Sequence, residues 1–193
     1  MSTDPVFSDL QKVNPSAIIE LFTLALDTNL HGVNTVYRFH AGSNLNANEK
    51  IVWDGNEYLR FPVEATGFAH QRGQIPRPKL SVSNMGTPTM SAILLTVNQT
   101  TTGNDLAKAV VTRITTMARF LDAVNFSGST NPFGTPDPTA EFKREIFEID
   151  RKSTETREVI EFELSGSIDM AGIRAPKRQC TRLIFPSIGS FVE

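Results

Sequence analysis

Cysteine is nearly missing from this sequence: Cys180 stands alone among 193 residues. One thiol closes no internal disulfide and falls short of the four ligands of a structural zinc or iron–sulfur site, which points to a reducing compartment. Long apolar runs are lacking as well. The longest, around Ile93 to Leu95, is far below the ~20 residues that a helix needs to span a bilayer, so no membrane span is expected. The stretch Met1 to Leu10 has neither the basic region nor the apolar region of a secretory signal, and export by the general pathway is not expected. Nor is there an excess of charge of one sign. Nineteen basic against 21 acidic side chains give a net charge of -2, which supplies no overall attraction to nucleic acid. Phosphate-cradling glycine loops, H-E-x-x-H, G-x-S-x-G and C-x-x-C are all absent. The expected class is therefore a protein that is not an enzyme.

What is present is the composition of an ordinary globular chain: 39% hydrophobic and 21% charged residues exclude disordered, collagenous and coiled-coil readings. The length suits one domain with an appendage, and a chain of this size buries about 70% of its unfolded surface without a metal or disulfide staple.

Residues 1 to 16, with Pro5 and Pro15, read as an N-terminal arm with at most one turn of helix. AIIELFTLAL (Ala17 to Leu26) reads as a strand buried on both faces, with a buried helix as the alternative. Short β segments follow: Val36 to His40, Ile51 to Trp53, Glu57 to Val63, Ala65 to Gln71 and Lys79 to Asn84. Asp54-Gly55 between two of them is a strong hairpin signal. In the last, Leu80 and Val82 share one face, while Ser81 and Ser83 make the other a wet one. Thr87-Pro88 opens a short helix through about Val97. One helical turn over Asp105 to Ala109 then precedes a long strand from Val110 to Val124. Residues 127 to 139, rich in Pro and Gly, form an exposed loop. A hairpin joins Phe142 to Asp150 with Thr156 to Ser165 and places Ile160, Phe162 and Leu164 on one face. From residue 171 the chain becomes a basic C-terminal arm with Arg174, Lys177, Arg178 and Arg182. The reading is a mainly β domain over 17 to 170, barrel-like or sandwich-like, with one or two short helices and an irregular C-terminal arm.

Few residues offer chemistry. His31, His40 and His70 are far apart and read as one turn and two strand-surface histidines rather than metal ligands. Glu148 with Asp150, and Glu161 with Glu163, share strand faces and read as solvated acids rather than an acid–base pair. Cys180 among basic neighbours reads as an exposed thiol before a nucleophile. The arm has no aromatics interleaved with its basic residues, so a protein surface suits it better than nucleic acid.

At ARFLDAVNF (Ala118 to Phe126) the sequence resembles the minor tail protein L family of lambda-like bacteriophages. The same resemblance is carried, in order along the chain, by IVWDGNEYLRFPVEATGF (Ile51 to Phe68), PRPKLSVSN (Pro76 to Asn84), EIDRKSTE (Glu148 to Glu155) and APKRQC (Ala175 to Cys180). It implies a structural virion protein of the tail tip, assembled in the host cytoplasm. Such a protein sits between the ring that caps the tail tube and the central fibre-bearing hub protein, as copies around a three-fold axis. Members of that family carry a C-terminal domain in which four cysteines hold an iron–sulfur cluster. Cys180 corresponds to the first, and near Gly189, where a second belongs, this sequence reads IGSFVE. Either this branch lacks the cluster domain or the chain is shortened. No cofactor and no metal are expected. Interface residues are expected at Arg174, Lys177, Arg178 and Arg182, with Trp53, Tyr58, Phe61, Phe68, Phe120 and Leu121 as apolar anchors whose alternative role is core packing. A carbohydrate-binding β-sandwich recognising cell-surface glycan is the second reading, and a cell-wall hydrolase the third.

Overall fold

The computed structural model describes residues 5–42, 50–69, 76–84 and 90–166. Among the described residues, nine strands form one mixed sheet in the order β3-β4-β2-β1-β7-β8-β9-β6-β5. Strand β1 (Ile18–Ala25) lies inside it, antiparallel to β2 (Val36–His40) on one side and to β7 (Val110–Met117) on the other. Its consecutive apolar residues follow from that position. Leu21 and Phe22 are both fully buried, but on opposite faces and in different cores. A strand packed on both faces reads as a continuous apolar run, which is what the sequence shows.

The first core lies on the face of Phe22 and Leu24. It gathers Phe39, Val111, Leu80 and Val82 of β6 (Lys79–Ser83), Phe147 and Ile149 of β8 (Glu145–Glu155), and Ile160, Phe162 and Leu164 of β9 (Val159–Ser165). Among the described residues there are three α-helices, where the sequence suggests one or two: α1 (Pro5–Leu10), α2 (Thr28–His31) and α3 (Met90–Thr100). Helix α3 covers this core with Met90, Ile93, Leu94 and Val97, the i, i+3, i+4, i+7 spacing of one helical face. Helix α2 is a single turn held at both ends. The Asp27 carboxylate accepts from the Asn29 amide at 2.6 Å, and Gly32 at φ 73° closes its C-terminus.

The second core lies on the face of Ile19 and Leu21, under Ile51, Trp53, Tyr58, Ile114, Met117 and Leu121. Ile51 and Trp53 belong to β3 (Lys50–Trp53) and Tyr58 to β4 (Asn56–Arg60). The Asp54-Gly55 turn that joins these strands has both residues at positive φ, as its sequence signals.

Several boundaries differ from the sequence reading: the strand expected over Ala65 to Gln71 is not formed at 67–69, the hairpin strands begin at Glu145 and Val159 rather than Phe142 and Thr156, and three further boundaries lie elsewhere than expected. Glu57 to Val63 is not one strand. It breaks at Phe61-Pro62 into β4 and β5 (Val63–Thr66), because Pro62 has no N–H to give to a ladder. The two pieces then stand at opposite ends of the strand order. The link holds both ends, since the Phe61 amide donates to the His40 carbonyl at 2.9 Å and the Ser83 amide donates to the Pro62 carbonyl at 2.8 Å. Three residue steps span no more than about 11 Å, so the sheet curls until its ends approach. No ladder closes it among the described residues, and the order remains that of an open sheet. Second, the strand expected to reach Val124 ends at Met117. Ala118–Phe120, Ala123–Asn125 and Ser127–Ser129 are 3₁₀ turns, in keeping with the absence of β-branched residues from Met117 to Ala123. Third, β8 runs on to Glu155 through two register shifts, where Asp150 was its expected end.

Candidate functional site

Around residues 118–140 the chain makes its most irregular structure and its most specific polar contacts. Asn125 is buried, and its side chain faces the outer edge of β3. The Val52 amide donates to Asn125 Oδ1 at 2.7 Å, while Asn125 Nδ2 donates to the Val52 carbonyl at 2.7 Å and to the Asp122 carbonyl at 2.8 Å. A carboxamide presents one donor and one acceptor side by side, so it completes an edge strand as a neighbouring strand does. Asp122 meets the same hairpin at its tip, accepting from the Gly55 amide at 2.9 Å. The segments Ile51 to Phe68 and Ala118 to Phe126, remote in sequence, are thus docked on one another.

Helix α1 is fixed to this region through Asp9, whose side chain is 3% exposed. It accepts from the Ser16 hydroxyl at 2.6 Å, the Ser16 amide at 3.1 Å and Lys12 Nζ at 2.8 Å, and it forms an ion pair with Arg119. Burial alone raises a carboxyl. The Ser16 hydrogen bonds and the Arg119 charge outweigh it and hold Asp9 below the usual carboxylate range. Arg119 also lies 5.5 Å above the Phe120 ring and reaches the Phe133 carbonyl. Helix and loop are tied by one guanidinium. Apolar side chains remain exposed on these same segments: Phe7 is 54%, Phe133 50% and Val124 63% exposed. The Phe7 ring meets Phe142 edge-on at 5.8 Å, and Phe133 meets Phe126 likewise at 6.0 Å.

A second polar junction crosses the sheet. Arg113 of β7 pairs with Glu145 of β8 at 2.7 Å and with Glu20 of β1, and its guanidinium lies 4.7 Å from the centre of the Phe68 ring. Burial lowers the affinity of this guanidinium for its proton, but the two carboxylates more than reverse that, and Arg113 titrates above its ordinary value.

The residues singled out in the sequence are distributed differently. Trp53, Tyr58, Phe120 and Leu121 lie in the second core, and Phe68 with the half-buried Phe61 belongs to the first. Arg174, Lys177, Arg178, Arg182 and Cys180 lie outside the described residues, as does His70. His31 and His40 are not on the surface; both are buried. His31 Nδ1 accepts from the Asp27 amide at 3.0 Å, which leaves Nε2–H to donate to the Ala107 carbonyl at 3.1 Å. The sequence offered no signal for this, since both partners are backbone groups supplied by the fold. Glu163 is bound to Arg151 at 2.8 Å rather than set across a cleft from Glu161. No group of three His, Cys, Asp or Glu side chains able to hold a metal occurs among the described residues. One cysteine does not fit an iron–sulfur cluster, which takes four thiolates. No described helix is long and apolar enough to cross a membrane.

Both docked segments fall within the residues that a family model covers. A family model described as phage minor tail protein L matches residues 28–185. Tail tip protein L of Escherichia phage lambda is 34% identical over 91 residues, which cover 46% of this chain and 35% of that protein.

Proposed function

The chain belongs to the phage minor tail protein L family and is a structural component of a phage tail, and from that premise we propose that it sits at the tail tip as a baseplate hub component. In this reading it joins the end of the tail tube to the central, fibre-bearing hub protein, in copies arranged around the tail axis as a homotrimer. Its work is mechanical, and neither a cofactor nor a catalytic step takes part. The observation that carries the reading is the family match over most of the chain, with a relative named as a tail tip protein. The exposed Phe7, Val124 and Phe133 support it as apolar groups at hand for a neighbouring tail protein. The arm residues Arg174, Lys177, Arg178 and Arg182 supply charge for an acidic partner surface.

The test is the mass of the purified chain by light scattering, alone and mixed with the candidate hub protein. A trimer, or a stable mixed complex, supports the reading. A chain that stays monomeric with every tail protein and instead binds glycan overturns it in favour of a carbohydrate-binding module.

A further inference from the structure

Strands β2 and β4 pair only at Phe39–His40 with Leu59–Arg60. A polar cavity of about 250 Å³ lies between them on the face of the second core. Arg38 and Trp53 stand on its walls with Tyr58, and Thr23 and Thr112, paired neighbours on β1 and β7, add two hydroxyls. Two observations mark it as unfinished. Trp53 is 1% exposed, yet its indole Nε1–H has no hydrogen-bond partner among the described residues. An indole nitrogen can only donate, and a buried donor without an acceptor is rare in a folded chain. The Arg38 side chain makes no ion pair or hydrogen bond with any described residue.

The other charges define what fits. Arg144 also lines the cavity, but its guanidinium is bound to Glu141 at 2.7 Å. Asp54 on the wall opposes a second negative charge on any occupant. Tyr58 titrates above its ordinary value, chiefly because it is buried, with Arg38 and Arg144 pulling the other way; at neutral pH its hydroxyl is a donor. The free functions are therefore a guanidinium fork, an indole N–H and hydroxyl groups, with room for one compact anion of single charge. A planar carboxylate matches the fork with two parallel hydrogen bonds.

We propose that this cavity is a carboxylate-binding site, in which Arg38 and the Trp53 indole N–H receive an acidic group presented from outside the fold. The site stands apart from the tail-tip reading, because its first test needs no partner.

Trp53 is the chain's single tryptophan, so intrinsic fluorescence reads the cavity directly. The full chain is titrated with butyrate at constant ionic strength, with butyramide and inorganic phosphate as comparisons. A saturable change with butyrate, none with butyramide, and at least a tenfold weaker response in Arg38→Met support the site. No saturable change, an equal response in Arg38→Met, or tighter binding of phosphate overturns it. If Arg38→Met does not fold, Arg38→Lys keeps the charge and loses the fork: severalfold weaker binding supports the site, and unchanged affinity overturns it. Phage particles carrying Arg38→Met then separate the sources. A reduced particle yield assigns the carboxylate to an acidic side chain of a partner protein, and a normal yield, with butyrate bound by the unaltered chain, assigns it to a free small acid.

Discussion

Asn125 serves Val52 as a strand would, giving and taking a backbone hydrogen bond at 2.7 Å each across 73 residues of sequence. Asn125→Asp retains the shape and the acceptor but removes the donor to the Val52 carbonyl, and brings a buried charge. A loss of about 1–3 kcal/mol is expected by chemical denaturation. It also uncaps the β3 edge, so the variant gains concentration-dependent association in sedimentation, whereas Lys50→Gln on the same strand does not.

The Asp9 latch makes the attachment of α1 dependent on acid. Its carboxyl titrates lower in the folded chain than when unfolded, where the ordinary value is 3.8. The stability it contributes is therefore complete above that value and is lost as pH falls through the lower, folded one. Asp9→Asn should cost about 1.5–3 kcal/mol at pH 7. It should also flatten the steepest part of the acid limb below about pH 4, as followed by thermal melts across pH. An acid limb identical in both proteins would show that Asp9 does not drive it.

Gly32 accepts no side chain. It sits at φ 73°, and an added Cβ lies 2.0 Å from Thr100 Cγ2 and 2.8 Å from Thr100 Cβ. Gly32→Ala is expected to destabilise the chain by about 1–3 kcal/mol, from backbone strain and the displacement of the end of α3. The double variant with Thr100→Ser removes the methyl that is struck and recovers part of the loss. A single variant as stable as the parent removes this account of the α2 C-cap.

Arg174→Glu with Arg178→Glu reverses charge on the C-terminal arm. Particle assembly should fall while the melting temperature of the isolated chain stays within about 2 °C, as expected of charges that serve a partner and not the fold. Unchanged particle yield removes the arm from the interface.

Legibility of the fold follows the range of the interactions involved. The Asp-Gly turn between β3 and β4 and the core face of β9 were legible because turn chemistry and a two-residue period act between near neighbours. The break at Phe61-Pro62 was carried by the proline but hidden by the apolar residues on either side. The end of β7 was obscured likewise, because Phe120 and Leu121 leave the strand while staying buried in the second core. Of the candidate site, the importance of Ala118 to Phe126 was legible only as resemblance; its cause, the pairing of Asn125 with Val52, was not.

The sequence by itself determined that this is a mainly β chain of the tail protein L family, with a buried apolar segment at Ala17 to Leu26, read as strand before helix, and a hairpin at Asp54-Gly55. Apolar periodicity, turn residues and family blocks are local properties, and local properties can be read in one dimension. Only the tertiary structure decided that Trp53 and Phe120 are core residues, that His31 is held by two backbone groups, and that Arg38 and Trp53 share a cavity with donors to spare. Burial and hydrogen-bond partnership belong to pairs of groups brought together by the curl of the sheet, and no single segment contains them.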